Sequence, residues 1–235
     1  MQKTIFTEKE NTSIRGSLPF IILLLFFFTF PVQGQDRDAG LWSALEVEKG
    51  INKWLDVQAN LEVRLDNNIS RAERYLAEIG LTADMGKYFD ASLVYRYTNR
   101  YFPEYNRVSY SRVYADVRFN YDYMAFSFYE RVRLTFDEIP PFFEDGLIET
   151  TARLKTQATY NIRKTPLRAR GSVEFFFPVT HSFNPYVEKT RYKLGMIYIV
   201  NQMVSVEAGH MFQQVTVKNK PQNNFVWVVT LDYTF

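Results

Sequence analysis

The chain has 235 residues, 46% hydrophobic and 17% aromatic, with 16 Tyr, 21 Phe and a net charge of +2. So small a charge excludes a nucleic-acid binder driven by bulk electrostatics. The lack of any Cys excludes a disulfide framework and thiolate metal sites, and it is compatible with an envelope location.

The first element along the chain is an apolar run of 13 residues, LPFIILLLFFFTF from Leu18 to Phe30, preceded by Arg15 and followed by PVQGQ. It is shorter than the roughly 20 residues a spanning helix needs, and it fits the apolar region of a signal peptide. Val32 and Gly34 then stand at −3 and −1 of a cleavage before Gln35, giving a leader over residues 1–34 and one mature domain over 35–235. A membrane anchor kept on the mature protein is the alternative. Glu8 and Glu10 depart from the positive start usual in such leaders.

After Gln35 the period is two. A weak first strand falls near Leu41 to Lys49. In LDVQANLEVRLDN, Leu55, Val57, Ala59, Leu61, Val63 and Leu65 alternate with Asp56, Gln58, Asn60, Glu62, Arg64 and Asp66, as on a strand with one apolar and one polar face. Strand three sets Tyr75, Ile79 and Leu81 against Arg74, Glu78 and Thr82. Strand four sets Phe89, Leu93, Tyr95 and Tyr97 against Asp90, Ser92 and Arg96. Strand five sets Val113, Ala115 and Val117 against Arg112, Asp116 and Arg118. Further strands follow near 124–136, 148–161, 166–177, 189–200, 203–213 and 224–235.

The links alternate too. Short ones fall at 50–53, 86–88, 121–123, 163–165 and 201–202, and longer polar or Pro-bearing ones at 67–72, 100–108, 137–147, 178–188 and 214–223. Strands of roughly 10 residues with an aromatic-rich apolar face, joined in this way, predict an all-β fold, a transmembrane antiparallel up-and-down β-barrel. A soluble barrel has the same period with the faces inverted. Three features decide for the membrane: the leader, the aromatic apolar face, and a last strand with Phe225, Trp227, Val229, Leu231, Tyr233 and Phe235 on one side. Trp227, Leu231, Tyr233 and the final Phe235 resemble the signal read by the outer-membrane barrel assembly machinery, an expected partner alongside outer-membrane lipid. The leucines of LDVQANLEVRLDN then face lipid and its charges face the lumen. Eleven strands are counted where bacterial barrels have an even number, so ten to twelve are expected. A mis-drawn first strand, a wrongly divided segment, or an N-terminal segment lying in the lumen would each account for the odd count.

The segments LWSALEVEKGINKWLDVQANLEVRL, RYLAEIGLTADMGKYFDASLVYRYTNRY and YERVRLTFDE resemble domain-of-unknown-function family 2490, with Trp42 before a short hairpin, Tyr95-Arg96-Tyr97 and Arg131-Val132-Arg133 as the motifs. The resemblance covers roughly Leu41 to Phe235. It implies an outer-membrane barrel and carries no catalytic residues.

Inward positions on the early strands are mostly acidic and those on strands five to nine mostly basic. Two readings stay open: salt bridges filling a narrow barrel, or a field across a water-filled constriction that passes small polar solutes. For the second, the mid-strand residues Glu62, Glu78, Arg131, Arg153, Lys155 and Arg170 form the candidate constriction. Glu46, Glu48, Asp84 and Asp90 are placed toward the short-turn end and outside it. A barrel-embedded lipid-modifying enzyme of esterase or deacylase type is the alternative function, and it needs a base beside a nucleophile. Only His181, in a long loop, and His210, beside Trp227 with lipid-facing parity, are offered. His181 reads as a polar surface residue of its loop, no Ser occupies a lipid-facing position on either strand beside His210, and two distant His without Cys make no metal site. No cofactor and no catalytic residue are expected. Glu130 falls on the lipid face, which points to a register error in strand six.

Overall fold

Alternation builds a closed sheet. The computed structural model describes residues 39–138, 148–179, 186–217 and 220–235. The leader expected over 1–34, His181 and most of the 137–147 link lie outside them. Among the described residues there are eleven strands: β1 (Ala39–Asn52), β2 (Leu55–Asp66), β3 (Arg71–Asp84), β4 (Phe89–Phe102), β5 (Asn106–Tyr123), β6 (Phe126–Glu138), β7 (Ile148–Asn161), β8 (Leu167–Pro178), β9 (Lys189–Ile199), β10 (Val204–Val217) and β11 (Lys220–Thr234). Each pairs with the next in sequence, and β1 pairs with β11 to close the barrel.

Eleven strands lie within the ten to twelve expected, and the closing pair accounts for the odd count. Ten sequential pairings are antiparallel, so strands one and eleven run the same way and must meet in parallel. They do so from Ala39 opposite Phe225 to Glu48 opposite Thr234. The first strand is therefore a full member of the wall, and an odd strand count is compatible with closure.

The faces are as the period requires. Leu61, Ile79, Leu93 and Leu194 point outward and are 59%, 60%, 60% and 66% exposed, while Thr98, Asp116 and Glu207 point inward and are 2%, 4% and 2% exposed. An apolar exterior around a polar interior is the arrangement for hydrocarbon, where lipid replaces water outside. Aromatic rings gather at the turn end of β4 to β7, where Phe89, Phe119, Tyr121, Phe128, Phe126 and Tyr160 follow one another at centroid spacings from 4.8 to 6.0 Å. Toward the other end of β9 to β11, Tyr192, Phe212 and Phe225 form a second group. Girdles of aromatic residues belong at the membrane–water boundary of such barrels.

This belt explains Glu130. The β5–β6 and β6–β7 ladders are regular through it, so no register error exists and the side chain does face outward. Its row contains Phe119 on one side and Thr156 on the other, and the Thr156 hydroxyl donates to it at 2.6 Å. A carboxylate among boundary aromatics sits where the cost of charge is about 0–1 kcal/mol, far below that at the midplane.

The predicted alternation of short and long links is only partly present. Two of the five links expected to be long are tight, leaving residues 67–70 and 103–105 between strands, and β10 and β11 extend into the stretch expected as a third. Asn67, Asn68 and Ile69 take positive φ in the first of these, and Asn106 does so after the second. Asn tolerates that region well. The polar and aromatic residues read as loop are strand ends that rise past the apolar band.

Replacing Leu61 by Arg is expected to cost about 2–4 kcal/mol at midplane depth, whereas Arg at the inward Gln58 is expected to cost much less. Urea unfolding in lipid vesicles measures the difference.

Candidate functional site

The lumen is built by alternate residues of every strand, and the ladder decides which charges can meet. Two of the cavities inside have volumes of about 410 and 310 Å³. Both are lined by Glu78, Arg131 and Lys155, and the larger also by Glu62 and Arg153. Arg170 lines the smaller of the two and a further cavity beside it.

Most of these charges are neutralised along the wall by close neighbours. Glu62 accepts from Arg64, two residues along the same strand, at 2.5 Å. Glu78 pairs with Arg96 directly across the β3–β4 ladder and accepts from the Asn60 amide at 3.2 Å. Arg133 meets Asp116 across β5–β6 with two hydrogen bonds, at 2.6 and 2.7 Å. Such paired bonds from one guanidinium are the strong kind. Glu174 is the hub of the basic wall: Arg131 donates to it at 2.5 Å and Arg153 at 2.7 Å, and Arg191 lies 3.8 Å away. The acidic and basic walls predicted from sequence therefore each contain their own counter-charges.

Glycine makes one of these pairs reachable. Arg170 on β8 bonds Glu207 on β10 at 2.6 Å, past the strand between them. The residue in its path is Gly195, which lies opposite Arg170 on one side and Gly209 on the other. A Cβ on Gly209 would stand 2.4 Å from the Leu194 carbonyl oxygen, and one on Gly195 would stand 3.2 Å from the Glu207 carboxylate. The bare backbone leaves room for the carboxylate, which also accepts from Lys193 at 2.7 Å.

Aromatic side chains complete the larger cavity. The Arg64 guanidinium lies over Trp42 at 3.7 Å, Arg191 lies between Trp42 and Phe176 at 5.1 and 4.7 Å, and Arg153 lies over Phe176 at 4.4 Å. Beside them Met211, Val226 and Val228 form a small buried apolar patch against Trp42. Stacking on a ring face holds these cations in place beyond what their ion pairs supply.

Sequence reading left Glu46, Glu174 and Glu207 out of the candidate constriction. Glu46 was placed toward the turn end, yet it lines both cavities. β1 begins two residues before and ends three residues after the stretch expected for it, so Glu46 falls mid-strand. Glu174 and Glu207 carry no local signal, since their importance lies in partners on other strands.

His210 faces outward, with its ring centroid 3.4 Å from that of Trp227. Its cross-strand neighbours are Leu194 and Trp227, neither of which is a nucleophile. Among the described residues, no group of three or more His, Cys, Asp or Glu is placed to hold a metal.

A closed meander with an apolar outside and a charged lumen has the fold of a transmembrane porin-type barrel. The structure superposes on one described as "NanC porin structure in rhombohedral crystal form" with a TM-score of 0.51 and 12% identity, covering 84% of this chain and 98% of that one. The sequence matches the family described as "Protein of unknown function (DUF2490)" over residues 39–224, and the chain belongs to that family. No curated protein matches it.

Changing Glu174 to Gln is expected to destabilise the barrel by about 3 kcal/mol, because it leaves three guanidinium groups without their shared counter-charge. Urea unfolding of the variant beside the parent protein gives the value.

Proposed function

We propose that the protein is a non-enzymatic barrel of the bacterial outer membrane, secreted with a cleaved leader, whose lumen passes or binds small polar solutes. The observation that carries this reading is the larger cavity, where eleven basic side chains stand among seven acidic ones around water-sized space. An interior made only for stability would be filled. Charged walls around water filter solutes by sign and hydrogen bonding. Glu62, Glu78, Arg131, Arg153 and Lys155 act there, with Arg170 in the adjoining cavity. The excess of base favours anions over cations.

The outward row on the last strand is the proposed contact for the assembly machinery. Trp227, Leu231 and Phe235 are 37%, 40% and 48% exposed, and Tyr233 stands in the same row.

Two experiments test the reading. Fractionation is expected to place the processed protein in the outer membrane with heat-modifiable gel migration; recovery as a soluble periplasmic protein would overturn the location. In planar bilayers, discrete conductance steps are expected, and a silent barrel would rule out the channel. Changing Arg153 and Lys155 together to Gln is expected to move the reversal potential toward cations.

A further inference from the structure

The two cavities abut, and the residues common to both mark the neck between them. Six of these carry charge: Glu46, Glu78, Arg131, Arg133, Lys155 and Lys193. Four have an oppositely charged partner on the wall, namely Glu78 with Arg96, Arg131 with Glu174, Arg133 with Asp116, and Lys193 with Glu207. Among the described residues, Glu46 and Lys155 have no ion pair.

The ladder explains both exceptions. Glu46 lies opposite Asn60 on β2 and Asp232 on β11, neither of them a cation. Lys155 lies opposite Arg131 on β6 and Glu174 on β8, so one neighbour repels it and the other is already shared by arginines. Its ammonium has only the Tyr129 ring, at 5.5 Å. In the closed order of strands, β7 is five steps from β1 one way and six the other, so the two residues stand on opposite walls. The neck thus receives a carboxylate from one wall and an ammonium from the opposite wall, neither held in an ion pair.

Such a pair acts differently on ions and on dipoles. Midway between opposite charges the potential is near zero, so a single ion there gains little. The field is greatest in the same place, and a molecule with both charges gains at each end. We infer that Glu46 and Lys155 form a dipolar selectivity pair favouring small zwitterions, with the solute's ammonium toward Glu46 and its carboxylate toward Lys155. The inference rests on the channel reading and names a solute class for it.

The test uses the processed chain reconstituted in liposomes, with swelling rates corrected for empty vesicles. The probes are γ-aminobutyrate and 4-hydroxybutanamide, which match in size but differ in charge. The parent protein is expected to admit the zwitterion about fivefold faster, the factor that one unit-charge contact at about 4 Å in water supplies. In the Glu46→Gln, Lys155→Gln double variant the ratio is expected to fall to about one while conductance persists. The charge-swapped variant, Glu46→Lys with Lys155→Glu, keeps a dipole of opposite sense and is expected to keep the preference, which a merely structural role would not. In bilayers, Glu46→Gln alone should shift selectivity toward anions and Lys155→Gln alone toward cations. A conducting parent protein with a ratio near one, or a ratio unchanged in the double variant, overturns the pair and leaves the channel standing. A parent protein that neither conducts nor swells vesicles overturns both.

Discussion

A strand in hydrocarbon has no water to bond its free edge, so every backbone N–H and C=O must find a partner in the sheet itself. Closure follows from that constraint, and much else follows from closure. Once the ring is shut, alternate residues are committed to an interior too narrow to hydrate every charge freely, and buried charge needs a counter-charge. The belt of aromatics, the apolar band and the ion-paired lumen are three consequences of the same ladder of hydrogen bonds.

Within the lumen, the ladder also decides the field. Long guanidinium side chains reach one or two strands along the wall, as Arg131 does to Glu174 and Arg170 to Glu207, so most charges are neutralised locally. What a solute meets is the remainder. The cluster around Glu174 leaves excess positive charge in the larger cavity, while Glu46 and Lys155 leave opposed charges at the neck. The stability of the wall and, on the channel reading, the selectivity of the lumen are set by one arrangement of side chains read in two ways.

Much of the architecture was legible in the sequence because its signal is local. The alternation from Leu55 to Asp66 separated an apolar from a polar face with no knowledge of neighbours, and β7 falls where the pattern placed it. Strand ends were harder. Around Pro103, and between Gln214 and Asn223, polar and aromatic residues looked like loop because they rise beyond the apolar band, where nothing enforces alternation. The site was the least legible part. The charged positions themselves were found, but Glu62 differs from Glu46 only through its partner Arg64, and the standing of Lys155 depends on who has taken Glu174. Those are facts of register between strands, which no single strand encodes.

The parallel seam between β1 and β11 gives the molecule a beginning and an end that a wholly antiparallel ring conceals. Its slanted bonds are slightly weaker per residue than those of the other ten junctions. It also joins segments at opposite ends of the folded chain, so forming it requires closing the longest loop in the molecule. Every other junction can zip outward from a nearby turn. The seam has to wait for all of them, and so the last act of folding is also the place where a stressed barrel would first come undone.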